Sequence, residues 1–535
     1  MIKRNVLATA VVVSMGLLTA CENGSSLKTD SGKTISIPAY KEPPPTQKAE
    51  MGKVRMAEVC PETIDASWRE KQVIEGVEIS ASKLCSPDNP FDIATFVKGT
   101  NNVSMATLME TQLSPDTVTK GDDLDGDGDP DVIRIRLEVA EINGRDPDLD
   151  TPFPAYDIAP GVQPGFWVFA PKTRGMVVAN NETTYANPYI RMPSPAIRVE
   201  QGDKIELVLE NTHYFPHTIH LHGVDHPYMQ EDGSGNDGVP QTFPSPEGAM
   251  VQPGESFTYR FQPRQTGTMV YHCHVQTGTH ILMGLIGMFI IEENRPNNWV
   301  QTFNVGDGHV RHSSVAIKEV YDREYDLQYI GSDKELHNII QQYNDPRLIA
   351  EAMNQHYKLA DRKPEYFTLN GKSFPYTIPE SLVIVAPNEK VKLRMFNGGE
   401  DMLAMHTHGH KATITHYDGI EHNPSAQITR DIYSLMGAQR VDLELNTTND
   451  GLHNYGEGVW LFHDHNEFGI TTDSAMPGGN VSVIVYESFL TENGLPRVNG
   501  TDLTKFFTNE YYDRTYPVWG TLENADKFGI VDRNQ

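Results

Sequence analysis

Cysteine and histidine crowd together at Tyr271-His272-Cys273-His274, and His280 follows seven residues after the cysteine. Read as a β-strand, this stretch sends successive side chains to opposite faces. His272 and His274 then point one way and Cys273 the other, so one strand offers a thiolate to one metal site and two imidazoles to a second. A thiolate with imidazoles suits copper, and a Cys–His–His set is the equatorial shell of a blue-copper electron-transfer centre. The thiolate lies one residue from each flanking imidazole, so an electron can pass between the two sites through covalent bonds.

The other histidines fall into the same pattern. Twenty histidines in 535 residues give about 0.7 His-x-His pairs by chance. Five are present: His220/His222, His272/His274, His406/His408, His408/His410 and His463/His465. On strands each pair projects to one face, as chelation requires, and neutral imidazole is the commonest metal ligand. His217 has the opposite parity to His220 and His222, so it is expected to point with Cys273. Parity alone thus separates a His217/Cys273/His280 site from a His220/His222/His272/His274 set. A later block repeats the chelating pairs as His406-Thr407-His408 and His463-Asp464-His465. It has Asp464 at the cysteine position and Leu403 three residues before His406, so it lacks a thiolate site. His226, His410, His416, His422 and His453 are read as structural or supporting residues.

Strands must position these side chains. Short alternating runs such as Ala196–Glu200, Lys204–Leu209 and Ser256–Phe261 alternate with Gly/Pro/Asn turns, as half-buried strands do. The order recurs at Ser381–Val385 and Lys390–Phe396, again followed by a histidine cluster. The expectation is an all-β protein of two sandwiches, residues 131–295 and 365–490, joined by a linker at 296–364 and ending in a tail at 491–535. The 43 Gly and 35 Pro fit that turn-rich class.

Ahead of the first sandwich, residues 51–130 read as an N-terminal extension ending in an Asp-rich loop. Asp123, Asp125, Asp127 and Asp131 take positions 1, 3, 5 and 9 of a calcium loop, with Asp129 between them and Gly128 at the sharp turn. Arg134 stands where an EF-hand has its bidentate Glu, and a strand-like run follows, so the expected ligand is structural Ca²⁺ in a loop that precedes a strand. Residues 1–21 read as an export signal, with Lys3 and Arg4 before an apolar run too short to span a membrane. Leu18-Thr19-Ala20-Cys21 resembles a bacterial lipobox. That implies an exported chain with a lipid anchor on Cys21, a flexible tether at 22–50, and the outer membrane, facing the periplasm or the cell surface. Cys60 and Cys85 are either a disulfide pair in an oxidising compartment or two free thiols. With 72 Asp+Glu against 44 Lys+Arg and a net charge of −28, the surface disfavours nucleic acid and favours the approach of cations.

The histidine motifs, with Asp237-Gly238-Val239-Pro240, Gln252–Phe261 and Gly267–His272 between them, resemble the multicopper oxidases reduced to two cupredoxin domains. The resemblance covers about residues 130–490. It implies two cupredoxin-like Greek-key β-sandwiches and four coppers per chain. Type 1 copper falls to His217, Cys273 and His280, type 2 to His220 and His406. The type 3 pair falls to His222, His272, His274, His408, His463 and His465, and Asp237 matches the acid that assists proton delivery. His280 stands two residues farther from the cysteine than the family pattern has it. Leu285 occupies the usual axial methionine position, with Met283 as the alternative. Since a cluster of this kind needs facing histidines from two domains, the resemblance also implies a homotrimer with clusters between subunits.

The resulting expectation is an oxidase that takes electrons from a small reductant, Cu(I), Fe(II), Mn(II) or a phenol, and reduces O₂ to water. Two alternatives stand beside it: a copper-containing nitrite reductase, and a non-catalytic periplasmic copper-binding or electron-transfer protein.

Overall fold

The alternating runs form strands, and central ones such as Gly267–His272 and Ile286–Glu292 are buried along their whole length because both faces of their sheet are covered. The computed structural model describes residues 117–172, 190–242, 250–295, 302–306, 308–311, 320–498 and 503–512, with four short strands nearer the N-terminus. Those four pair as two ribbons, Ser25–Lys28 with Thr34–Ile37 and Gln72–Ile74 with Val77–Ile79. The first ribbon lies inside the stretch expected as a tether. The export signal with Cys21, and both Cys60 and Cys85, lie outside the described residues.

The first sandwich contains β1 (Val118–Gly121), β2 (Val132–Ile142), β3 (Phe166–Pro171), β4 (Ala196–Glu200), β5 (Lys204–Glu210), β6 (His220–His222), β7 (Ser256–Phe261), β8 (Gly267–His272), β9 (Ile286–Glu292) and β10 (Phe303–Asn304). One sheet runs β6-β8-β9-β4-β10 and the other β7-β5-β2-β1, with β3 also on β2. Short helix α1 (Thr277–Leu282) bridges β8 and β9. Trp167, Phe169, Leu207, Tyr259, Tyr271 and Phe289 fill the space between the sheets.

The second sandwich repeats the plan. It contains β11 (Gly308–Arg311), β12 (Arg323–Asp333), β13 (Pro364–Leu369), β14 (Val383–Val385), β15 (Lys390–Asn397), β16 (Leu403–Thr407), β17 (Ala412–Tyr417), β18 (Ile420–Glu421), β19 (Ile428–Arg430), β20 (Ile432–Leu435), β21 (Arg440–Asn446), β22 (Val459–Asp464) and β23 (Val481–Tyr486). Its sheets run β11-β12-β15-β21-β17-β18 and β14-β23-β22-β16-β20, with β13 on β12 and β19 on β17. Parallel pairs sit at matching places, β4 with β9 and β14 with β23, β2 with β5 and β12 with β15. Both units are cupredoxin-like Greek-key sandwiches.

Three expected boundaries shift. The Asp-rich loop belongs to the first sandwich, because β1 pairs with β2 and the loop is their hairpin turn. The described residues of 296–364 are built into the two sandwiches. Phe303 and Asn304 complete the first domain's sheet, and β12 is buried at every position inside the second. Its apolar residues Tyr325, Leu327 and Tyr329 alternate with Glu324, Asp326 and Gln328, and with Arg323 at its start these polar residues hide the strand in the sequence. Then α2 (Lys334–Gln342), capped by Asp333, and α3 (Pro346–Glu351), capped by Asp345, lay Leu336, Ile339, Ile340 and Ile349 on the first domain's core. Part of the expected tail also packs, with Phe506 against Phe374 at 5.2 Å.

The domains meet through apolar and ionic contacts. Val270, Ile286, Met288 and Ile290 pack against Ile330, Tyr366 and Phe396. Beside them a buried ionic network joins Arg198 to Glu292 and Asp326, and Arg394 to Glu324 and Asp442. Arg394 also donates to Thr268, which itself donates to Asp442 across the boundary.

Candidate metal centres

The thiolate site forms where β8 runs on through Cys273 and His274. Cys273 N–H donates to the Leu285 carbonyl (3.0 Å), which holds the cysteine against the start of β9. The long gap to His280 is taken up by α1, which starts after left-handed Gln276 (φ 44°) and carries His280 in its last turn. His217 enters from the segment before β6, where its N–H and C=O pair with Val251. The Cys273 sulfur lies 3.6 Å from His217 Nδ1 and 3.4 Å from His280 Nδ1. Ligands at roughly 2.0–2.3 Å from one ion in a trigonal plane stand about 3.7 Å apart, so the spacing fits a metal. All three residues are buried. Burial pushes the Cys273 thiol up to about 11 and both imidazoles down, His280 to about 3. The imidazoles are thus neutral with free lone pairs, and a cation must displace the thiol proton. Met283 and Leu285 are both fully buried in the same core.

The first imidazole set is a cross-strand construction. β6 and β8 pair antiparallel with His220 opposite His272, so the two His-x-His pairs face each other on one side of the sheet. The His220 ring lies 5.2 Å from those of His222, His272 and His274. His220 Nδ1 donates to the Asp237 carbonyl (2.7 Å) and His272 Nδ1 to the Cys273 carbonyl (2.9 Å). A carbonyl only accepts, so each neutral ring keeps its Nε2 lone pair, and the His272 and His222 Nε2 atoms stand 2.9 Å apart. Burial holds His222 near 4 and His272 near 3, leaving both neutral and ready to ligate. The Asp237 carboxylate sits 3.3 Å from His220 Nδ1 and accepts from His226 Nε2 at 3.0 Å. Gly238 is required behind it: its φ is +70°, and a Cβ there would lie 1.9 Å from the Ile219 carbonyl.

The second domain builds the same arrangement in the same register. His406 on β16 lies opposite His463 on β22. His406 Nδ1 donates to the Asp431 carbonyl (2.8 Å), His463 Nδ1 to the Asp464 carbonyl (2.9 Å), and the His408 and His463 Nε2 atoms are 3.1 Å apart. His465 completes the set at 5.6 Å from the His406 ring. Asp464, at the cysteine position, turns inward and accepts from the N–H groups of Ala404 and Asn466. Among the described residues, no ring contact or hydrogen bond joins one quartet to the other within the chain.

In the Asp-rich loop, Asp123, Asp125 and Asp131 converge, while Asp127 and Asp129 lie buried in the same turn outside that trio. Asp131 Oδ2 accepts from the N–H of Leu124 and of Asp125, and Asp123 accepts from Gly126, Asp127 and Gly128. Burial, then the charge of Asp125, pushes Asp131 up to about 6. A buried carboxyl beside two others is an arrangement that a divalent cation relieves.

A search for His-x-His pairs passes over His213, which is fully buried and shares a 2.9 Å hydrogen bond between its Nδ1 and His217 Nε2. The His-x₃-His spacing of 213 and 217 is its only trace in the sequence.

Two sequence models of the multicopper oxidase family match the chain, over residues 176–296 and 349–477. An L-ascorbate oxidase of Nicotiana tabacum is 27% identical over 273 residues, 50% of this chain and 43% of that protein. Copper resistance protein A of Escherichia coli is 25% identical over 267 residues, 47% of this chain and 41% of that protein. The chain thus spans less than half the length of either relative. A solved multicopper oxidase, mgLAC, superposes with a TM-score of 0.48 at 23% identity, covering 71% of this chain and 94% of that one.

Proposed function

We propose that this chain, which belongs to the multicopper oxidase family, is an oxidase that withdraws single electrons from a small reductant and reduces O₂ to water. The observation that carries this reading is the pair of matched histidine quartets, one of them sharing a strand with a thiolate site. Copper bound there would accept one electron at a time at His217, Cys273 and His280 and carry out four-electron reduction of O₂ among the eight histidines of the quartets. Within the chain, Cys273 links the sites through its bonds to His272 and His274. Asp237 holds His220 through its carbonyl and presents its carboxylate, paired with His226, as the proton-handling group beside that quartet. Leu285, with Met283 as the alternative, would stand beside a copper held by these three residues, and a leucine there would leave it without a strong fourth ligand.

Eight cluster histidines exceed the three that a single catalytic copper of a nitrite reductase would use. A non-catalytic carrier would not need the cluster at all. Two observations favour a subunit-bridging cluster in a homotrimer. Among the described residues no ring contact or hydrogen bond joins the two quartets, and exposed apolar side chains stand near the second in sequence and register. Ile432 lies opposite His406, Leu461 lies two residues from His463, and Phe468 is 74% exposed. The remaining parts of the reading are four coppers per chain, Ca²⁺ in the Asp-rich hairpin, and a lipid anchor on Cys21 at the outer membrane. The reductant is Cu(I), Fe(II), Mn(II) or a phenol, the metal ions being favoured by the chain's negative charge.

Cys273→Ser tests the function. The variant is expected to keep its fold by circular dichroism and lose both the blue absorption and turnover. A colourless variant with full turnover would overturn the assignment.

A further inference from the structure

Cys273 and the Nδ1 atoms of His217 and His280 converge, so His217 turns its far nitrogen outward from the site. That Nε2 meets His213 Nδ1 at 2.9 Å. Two buried imidazoles sharing one hydrogen bond have their protons fixed in sequence. With Nδ1 committed to the metal side, His217 carries its proton on Nε2 and donates it to His213 Nδ1, so His213 carries its own proton on Nε2. His213 Nε2 is buried with no hydrogen-bond partner, and the closest carboxylate is Glu141, 3.9 Å away. That carboxylate is held in place by two donors, the Tyr214 hydroxyl and Trp167 Nε1 at 3.0 Å. The Trp167 ring in turn packs edge-on against His213 (4.9 Å) and His280 (5.3 Å), and His213 lies against Tyr214 at 3.9 Å between centroids.

We infer that His213 and Glu141 are positioning residues that fix the ligating tautomer of His217 and set the reduction potential of the thiolate copper site. The inference rests on copper occupying His217, Cys273 and His280. Glu141 places a negative charge one imidazole away from a ligand, and the hydrogen bond to His213 makes His217 a stronger donor. Both favour the cupric over the cuprous form, because the extra positive charge of the oxidised ion interacts more strongly with a negative environment and a more basic ligand. When one electron arrives from a reductant, the reductant loses one electron and the cupric ion becomes cuprous. No bond in the His213–Glu141 pair forms or breaks.

The test is a spectroelectrochemical titration of the blue band in copper-loaded wild type, Glu141→Gln, Glu141→Asp and His213→Phe. Glu141→Gln and His213→Phe are each expected to move the cupric–cuprous equilibrium about tenfold toward cuprous, which is about 59 mV for one electron. Glu141→Asp, which keeps the charge, is expected to stay near wild type. Should His213→Phe fail to fold, the isosteric Glu141→Gln carries the test alone. A blue wild type whose midpoint is unmoved by Glu141→Gln overturns this inference only. A wild type that takes up copper without turning blue overturns the copper assignment, and this inference with it.

Discussion

Asp131→Asn should stabilise the metal-free protein at neutral pH although it removes a residue proposed to bind calcium. Burial and the neighbouring charge of Asp125 hold the Asp131 carboxyl near 6, against 3.8 in the unfolded chain. A carboxyl raised in this way contributes stability that is fully present below 3.8 and is lost as the pH rises through about 6. At neutral pH the fold therefore carries an ionised group at a cost of about 3 kcal/mol for a shift of roughly two units. Solvent access at the loop reduces that to about 1–2 kcal/mol. Asparagine removes the charge and keeps an oxygen for the Leu124 and Asp125 N–H groups. The metal-free variant should then melt roughly 2–6 °C above wild type at neutral pH and show no advantage near pH 4. Calcium should reverse the order, stabilising wild type by about 2.7 kcal/mol at a hundredfold excess over Kd and leaving the variant unmoved. Differential scanning fluorimetry with chelator or with Ca²⁺ reads all four cases. A variant less stable than wild type in chelator, or stabilised equally by calcium, would refute the reasoning.

Co-expressing His222→Ala and His408→Ala chains should restore O₂ uptake, since about one interface in three of a mixed trimer would pair two intact quartets. Each variant alone should be inactive, and an inactive mixture would place both half-sites in one chain. Asp326→Ala leaves Arg198 short of a partner in the buried interdomain network and should cost about 3–5 kcal/mol in urea unfolding. A cost under about 1 kcal/mol would mean that the network is solvated. Gly238→Ala, which drives a Cβ into the Ile219 carbonyl beside Asp237, should keep the blue band and lose most turnover. Loss of the blue band would show that the disturbance reaches the thiolate site.

The grouping of the histidines was legible because a strand has a period of two, and the His-x-His pairs carry that period openly. Parity separates Cys273 from His272 and His274, and the register of β6 with β8 and of β16 with β22 completes each quartet. The seven-residue gap to His280 reads as a departure in sequence and is a single helical turn in space. His213 carries no such period. It works by a hydrogen bond to His217 across a loop, and Glu141 reaches the same cluster from β2, some seventy residues earlier. The misread segment 296–364 has a related cause. β12 buries charged residues that pair with partners distant in sequence, Asp326 with Arg198 and Glu324 with Arg394, so its composition resembles a surface stretch.

The most direct test of the account is O₂ uptake by the copper-loaded protein supplied with a measured amount of Cu(I), Fe(II), Mn(II) or a phenol. The account predicts uptake with at least one donor, one O₂ consumed for about every four electrons given, and no accumulation of peroxide. Absence of uptake with every donor, or peroxide as the product, would contradict it.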